Sequence, residues 1–398
     1  MRVPLSGADL TGQEIEAVVS VLRSGVLSIG PKVEEFEGAI TARVGTRHAV
    51  AVNSGTSALH LLVRAHGIGD GDEVITSPFS FVASANCALF ERASPVFVDI
   101  DPGTYNLDVD RIERAVTLRT RAIIPVSVFG QPVNMKAIGE IARRHDLVVI
   151  EDACEALGSE YDGIPAGSLG NGAAFAFYPN KQITTAEGGV VVTNDGLVAA
   201  YCRSVRNQGR SGRDGDMTRV VSPLRRRTDL QSPWLHHERL GYNYRLSELH
   251  AALGVVQMKR LDQIIERRQR IADAYAERLR DSPDLILPQS GPGVTKMSWQ
   301  AYVVQVRDGV DRDGVMDYLL GHGISCRPYF TPIHLQPFYV QQFGYEKGDF
   351  PLAEHAGDHT IALPFFNRQT DRQIDYVAAN LKLGCTRCRQ RRHLRTGT

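Results

Sequence analysis

Short apolar, β-branched runs recur along the first half of the chain: "HAVAV" at 48–52, "EVITS" at 73–77, "PVFVDI" at 95–100, "RAIIPVSV" at 121–128, "DLVVIED" at 146–152, "AAFAF" at 173–177 and "GGVVVT" at 188–193. Segments of helical period, such as "SALHLLVRAHG" and "MKAIGEIARRH", separate several of them. A strand buried on both faces has no polar side to show. Near-continuous apolar strands alternating with helices therefore specify an α/β chain with a mostly parallel sheet and helices on both faces. In such sheets ligands sit at the carboxyl ends of the strands.

After about residue 196 the pattern changes. The segment up to 245 is polar, glycine-punctuated and basic, and reads as a long excursion with its loop at about 207–240. "LSELHAALGVVQMKRLDQIIERRQRIADAYAERLRDS" then carries apolar positions at three- and four-residue steps, which predicts one long helix capped near Ser247. Beyond it "WQAYVVQV" reads as a strand, "DGVMDYLLGHG" as a helix and "ISCRPYF" as another strand. At 398 residues the chain is long enough for two domains. The expected division is a large domain over 1–250 and a smaller C-terminal α+β domain over 251–384, entered through the long helix. The basic end, 385–398, lacks apolar periodicity and reads as a disordered tail. Its lone Cys385-x-x-Cys388, without a second pair, is weak support for a metal.

Lys+Arg and Asp+Glu both number 45, so no overall field favours nucleic acid or an acidic membrane. The six cysteines are scattered without a disulfide framework and read as reduced thiols. The N-terminus opens with a turn and an amphipathic helix instead of a signal core, and no apolar run would cross a bilayer. The expected localisation is cytoplasmic.

Four features could carry chemistry. "AVNSGTSALHLL" runs strand, small-residue turn, helix; such a turn leaves backbone N–H groups at a helix start open to an anion. Phe81, in "SPFSFVASANCAL", follows a strand and could lie on a planar ring. Asp152 ends the buried strand "VVIED", where a carboxylate must meet a partner. Lys181 lies in "AFAFYPNKQITTAEGG", on a turn beside a strand end; a pocket lysine, its pKa lowered by burial, can form a Schiff base. Each has an ordinary alternative: a helix cap, core filling, an N-cap, a solvated surface turn. Their order along the chain, each after an expected strand, favours a shared site.

At these residues the sequence resembles the DegT/DnrJ/EryC1/StrS family of pyridoxal-phosphate aminotransferases that act on nucleotide-linked keto-sugars. The likeness runs from "GPKVEEFEGAI" to "ALPFF" and includes "NSGTSALHLL", "PVFVDIDPGTYNLD", "VIEDACEALGSEYDG" and "LGYNYRLSELHAALG". It implies fold type I and the cofactor pyridoxal 5'-phosphate, carried on Lys181 as a Schiff base. Asp152 would pair with the pyridine nitrogen and Phe81 would cover the ring. Gly55, Thr56 and Ser57 would hold the phosphate, and Asn243 of a dimer partner would complete that site. "RPYFTPIHLQP" would line the substrate side, with Tyr329 and His334 as candidates. The implied reaction moves an amino group, from L-glutamate, to a keto carbon of a nucleotide-linked deoxy sugar.

Three departures stand out. A serine common in the family five residues before the lysine is Ala176 here. Glu155 stands where many members carry Gln or His, and beside a phenolate oxygen it would have to be protonated or turned to another donor. The segment between Gly209 and Trp234 is long, and its Arg225-Arg226-Arg227 run could meet a diphosphate. Two other readings remain at this level: an aminotransferase for a keto-cyclitol, and a cofactor-binding regulatory or partner subunit without turnover. A dehydratase fits less well, because dehydratases resembling the family replace the lysine with histidine.

Overall fold

The protein is described here from a computed structural model, which describes residues 1–210 and 236–395. Its first half forms the expected sheet. The strands are β1 (His48–Val52), β2 (Glu73–Thr76), β3 (Ser94–Phe97), β4 (Thr120–Ile124), β5 (Val148–Asp152), β8 (Gly172–Ala176) and β9 (Gly189–Thr193), in the order β1–β9–β8–β5–β4–β2–β3. A small hairpin, β6 (Glu160–Tyr161) and β7 (Ile164–Pro165), lies between β5 and β8 in sequence. Neighbours from β8 to β3 are parallel, whereas β9 is antiparallel to both β8 and β1. Helices Ala83–Leu89, Val109–Ala115 and Met135–His145 carry the chain back between β2, β3, β4 and β5, and the excursion holding β6 and β7 does so between β5 and β8. The segment between β8 and β9 is a turn without such an excursion, and β9 returns antiparallel.

The continuous apolar runs are explained by burial on both faces. Val50 and Val52 of β1 and Val191 of β9 join a core with Leu59 and Leu62 of the helix Gly55–Ala65. Their neighbours Ala49, Ala51, Val190 and Val192 point the other way, into a core with Phe36, Ile40, Ile264 and Ile265. Successive side chains of a strand alternate faces, so both sets must be apolar when helices cover both sides.

The second half departs from expectation in several places. The long helix is two, Glu248–Lys259 and Leu261–Leu279, broken at Arg260. Arg260 is held there by Glu14 at 2.7 Å and by Asp9 Oδ2 at 3.0 Å, which draw its side chain onto the N-terminal segment. Ser247 does cap the first helix, accepting the His250 N–H at 3.3 Å. The strands β10 (Leu285–Ile286), β12 (Tyr302–Val306) and β13 (Thr360–Leu363) form a three-stranded antiparallel sheet, and β11 (Val294–Lys296) pairs with β6. "ISCRPYF" makes only isolated bridges, Val3 with Ile324 and Arg327 with Ala362.

Val3 is buried in the same core as Tyr302, Val304 and Leu319, so the first residues of the chain pack with the C-terminal sheet and not with the large one. The expected disordered end begins too early: the helix Asp371–Arg395 continues through it, with Cys385 and Cys388 buried in that core. Two apolar thiols one helical turn apart supplied the periodicity that a basic composition concealed. Among the described residues no helix is long and apolar enough to cross a membrane.

Candidate active site

A cavity of about 1120 Å³ opens beyond the carboxyl ends of β1, β5 and β8. Gly55, Thr56, Phe81, Asp152, Glu155, Lys181 and Tyr329 all line it. Its volume exceeds the roughly 300–1,000 Å³ usual for small-molecule sites, which leaves room for more than one compact ligand.

One wall is the start of the helix Gly55–Ala65. Ser54 is its N-cap and accepts the Ser57 N–H at 3.1 Å, while the preceding residues Gly55 and Thr56 face the cavity with the first amides of the helix. Ser57 itself does not line the cavity. It is buried, and its hydroxyl donates to Asn53 Oδ1 at 2.7 Å, so it stabilises the turn and is not on the cavity wall. The turn is packed from behind. A Cβ on Gly55 would lie 2.7 Å from Ala176 Cβ, and one on Gly189 would lie 2.3 Å from the Ser54 carbonyl oxygen. Gly189, the second of the paired glycines that follow the lysine segment, thus admits the helix start into close contact with β9.

Asp152 ends β5 at the cavity floor, only 5% exposed. Its Oδ2 accepts from Ser84 at 2.7 Å and its Oδ1 from the Cys154 N–H at 3.2 Å. Burial pushes its pKa up, against these hydrogen bonds and the charge of Lys181. Ser84 was not singled out in the sequence. It lies one turn beyond Phe81, at the start of the short helix Ala83–Leu89, and that spacing was the available signal.

Lys181 lies in the turn between β8 and β9, which is closed by Lys181 N–H to Tyr178 O at 2.9 Å and by Thr184 and Thr185 to Phe177 O at 2.9 and 3.0 Å. Its Nζ is 3.1 Å from Glu155 Oε1. Burial alone would lower the lysine pKa, as the sequence reading expected. The carboxylate of Glu155 beside it works the other way, and the pKa is raised. Glu155 is turned to other donors, one of the two outcomes expected for a carboxylate there: its Oε2 accepts the Phe129 N–H at 2.8 Å.

Phe81 presents an exposed ring on the opposite wall. Tyr329 contributes to the mouth together with Phe330 and Ile333. His334 is a correction. It is fully buried on the short turn Ile333–Leu335, its Nε2 3.0 Å from Glu354 Oε1, and it does not line the cavity. Adjacent side chains on a three-residue turn point to different sides: the apolar Ile333 takes the cavity side and His334 turns into the interior against Glu354. Asn243 is exposed and outside this chain's cavity. Its backbone bridges to Asn207, and its carbonyl accepts from Asn53 at 3.4 Å. Arg225, Arg226 and Arg227 lie outside the described residues.

Among the described residues, Asp308, His355 and His359 gather closely enough to share a metal ion, away from the cavity. Gln305 accepts from Tyr105 through Oε1 at 3.0 Å and so donates through Nε2 to His355 Nε2 at 3.1 Å. That ring nitrogen is already engaged.

The chemistry of this cavity suits a flat, anionic heterocycle: amides at a helix start, a buried carboxylate that meets no cation at hydrogen-bond distance among the described residues, an open aromatic face and an amine. The sequence profile of the DegT/DnrJ/EryC1/StrS aminotransferase family matches residues 8–382. GDP-perosamine synthase of Caulobacter vibrioides is 38% identical over 383 residues, covering 96% of this chain and 97% of that protein. The structure of DesV from S. venezuelae, in complex with a ketimine intermediate, is 33% identical with a TM-score of 0.85, covering 96% of this chain and 98% of that one. Spr1654 of Streptococcus pneumoniae, solved in its PLP form, is 27% identical with a TM-score of 0.88, covering 98% of this chain and 100% of that one. The chain belongs to the DegT/DnrJ/EryC1/StrS aminotransferase family and is a pyridoxal-phosphate-dependent sugar aminotransferase.

Proposed function

We propose that this enzyme moves an amino group from L-glutamate to a keto carbon of a nucleotide-linked deoxy sugar. The observation that carries the reading is the meeting of Lys181 and Asp152 in one cavity, beside an open helix start. The similarity to a protein named GDP-perosamine synthase supports a nucleotide-linked substrate, and a cavity of about 1120 Å³ is large enough to take one beside a cofactor.

The residues fit pyridoxal phosphate. Gly55 and Thr56 would receive the phosphate on the helix start, where backbone N–H groups and the positive end of the helix dipole favour an anion. Asp152 would keep a proton on the ring nitrogen; its burial makes that shared proton favourable for both partners. Phe81 would cover one ring face. Asn243 would reach the phosphate of a second protomer, in a homodimer whose sites are completed across the interface. When bound, the cofactor supplies an electron sink for the carbon that loses its proton.

Lys181 does the proton work. Its Nζ, free once the donor's amine has taken its place, would accept the Cα proton of glutamate and deliver it two bonds away, across the amine nitrogen, so one group would act as base and then acid. Asp152 stays fixed by Ser84 and the Cys154 amide throughout. Tyr329, Phe330 and Ile333 confine the sugar at the mouth.

Two measurements test this. Borohydride reduction of the pyridoxal-phosphate-loaded protein should leave the cofactor covalently on Lys181, and Lys181→Ala should abolish that trapping; retention in the variant would refute the assignment. A panel of nucleotide 4-keto and 3-keto sugars and inososes, scored by mass for conversion of ketone to amine with glutamate, reads the substrate class. Conversion of inososes alone would replace the sugar reading with the cyclitol one.

A further inference from the structure

Glu155 is held on both sides. Its Oε2 accepts the Phe129 N–H at 2.8 Å, its Oε1 stands 3.1 Å from Lys181 Nζ, and its backbone carbonyl accepts from Gln182. The side chains of Glu155 and Lys181 are each 14% exposed. Phe129 takes φ 57°, a left-handed conformation uncommon for a residue with a side chain. Its carbonyl accepts the Gln300 N–H at 2.9 Å, and its ring lies parallel to Phe330 and Tyr329, with centroids 5.4 and 6.4 Å away. Such backbone persists when its surroundings fix it. Here it aims one amide at one carboxylate.

We propose that Glu155 is the counter-ion of Lys181: it sets the direction of Nζ and offsets the charge of the proton that the lysine takes from substrate until that proton is returned. The proposal rests on Lys181 being the cofactor-bearing lysine. In the abstraction step the Cα–H bond breaks, its electron pair stays behind with the substrate carbon, and an N–H bond forms on Nζ. Lys181 passes from amine to ammonium, and Glu155 remains a carboxylate. A neutral side chain at 155 could hydrogen-bond Nζ but could not balance its charge. Among the described residues, Cys154, Asp152 and Tyr329 are further titratable groups that act on Nζ. Burial holds the Cys154 thiol and the Tyr329 hydroxyl neutral and pushes Asp152 towards its neutral form. Glu155 is the group at salt-bridge distance.

The test uses cofactor-free protein, acetylated with trace acetic anhydride between pH 6 and 11 and read at the Lys181 peptide by mass. In the wild type Lys181 should label as an amine more basic than ordinary lysine. Glu155→Gln still accepts the Phe129 amide but carries no charge, and should shift the labelling midpoint down by about 1–3 pH units. Glu155→Asp keeps the charge one methylene further back and should shift it less. The same preparations are then given pyridoxal phosphate and quenched with borohydride. At pH 8 Glu155→Gln should trap cofactor on Lys181 at least about tenfold faster, since a larger fraction of the lysine is neutral. Coincident labelling profiles for wild type and Glu155→Gln, or equal shifts in the Gln and Asp variants, would overturn the proposal. A wild type that traps no cofactor on Lys181 would instead overturn the functional reading beneath it, while the labelling arm would still report whether the ion pair exists.

Discussion

The contact between β9 and the helix start gives a sharp test of how the anion-binding turn is held. In Gly189→Ala the new Cβ would lie 2.3 Å from the Ser54 carbonyl oxygen, 2.4 Å from its carbon and 2.7 Å from the Gly55 nitrogen. Gly189 does not have a positive φ, so backbone conformation permits alanine and the conflict is purely one of space. The obstructing atoms are backbone, which no rotamer change can move, so turn and strand must part by roughly 1 Å. Overpacking of this kind costs about 1–3 kcal/mol, and the rigidity of both partners places it towards the upper end. If the displaced turn loses one charge-assisted hydrogen bond to the phosphate, about 2 kcal/mol goes with it, or roughly a thirtyfold rise in the cofactor dissociation constant. Absorbance titration of cofactor-free protein with pyridoxal phosphate measures the second effect, and melting of the cofactor-free protein measures the first. Val192→Ala, three residues along the same strand and buried in the opposite core, is the control: it should lower the melting temperature but leave cofactor affinity within about twofold. A Gly189→Ala protein that melts lower yet binds cofactor like the wild type would refute the link between this close approach and the phosphate grip.

Three further outcomes are expected. Asp152→Asn keeps the contact with Ser84 but cannot hold a proton on a ring nitrogen, so turnover should fall at least about a hundredfold; because burial already disfavours the charged form, the melting temperature should not drop, which calorimetry checks. Ala176→Ser places a hydroxyl on the cavity wall beside Gly55, and cofactor binding should tighten by about 0.5–1.5 kcal/mol, read by equilibrium dialysis. Burial raises the Glu14 pKa, but hydrogen bonds from Thr11, Arg260 and Gln257 outweigh it and hold it at about 2. Its folded pKa lies below the unfolded value of 4.5, so its stabilisation is full above pH 4.5 and is lost as pH falls towards 2; melting temperatures of Glu14→Gln should lack that part of the acid decline.

The sheet was legible because its signal is local. "HAVAV" is β1 residue for residue, and "MKAIGEIARRH" is the helix Met135–His145, since burial on two faces and helical amphipathicity are both written in consecutive residues. The break at Arg260 was hidden because its cause lies some 250 positions away, in Asp9 and Glu14. The helical end failed for a related reason: Cys385 and Cys388 face a core assembled from distant strands, while the residues around them are basic. At the cavity, the strand-end aspartate and the lysine turn could be read by position, because the topology places them on one edge. His334 could not, since which of two adjacent side chains on a short turn faces inward is decided by Glu354. The charge of Glu155 was visible, but its direction depends on the positive φ of Phe129, which has no sequence signature.

The pairing of Val3 with Ile324 has a consequence for biogenesis. Those partners are separated by most of the chain, and ribosomes add roughly 5–20 residues per second. The first apolar residues therefore wait on the order of tens of seconds, tethered to a growing polypeptide, before the groove that receives them exists. The large sheet can close well before then, whereas the second core can be sealed only after its missing edge swings in from the far end of the molecule. Early chain release or a bulky N-terminal fusion should leave that second core ajar while the first stays folded.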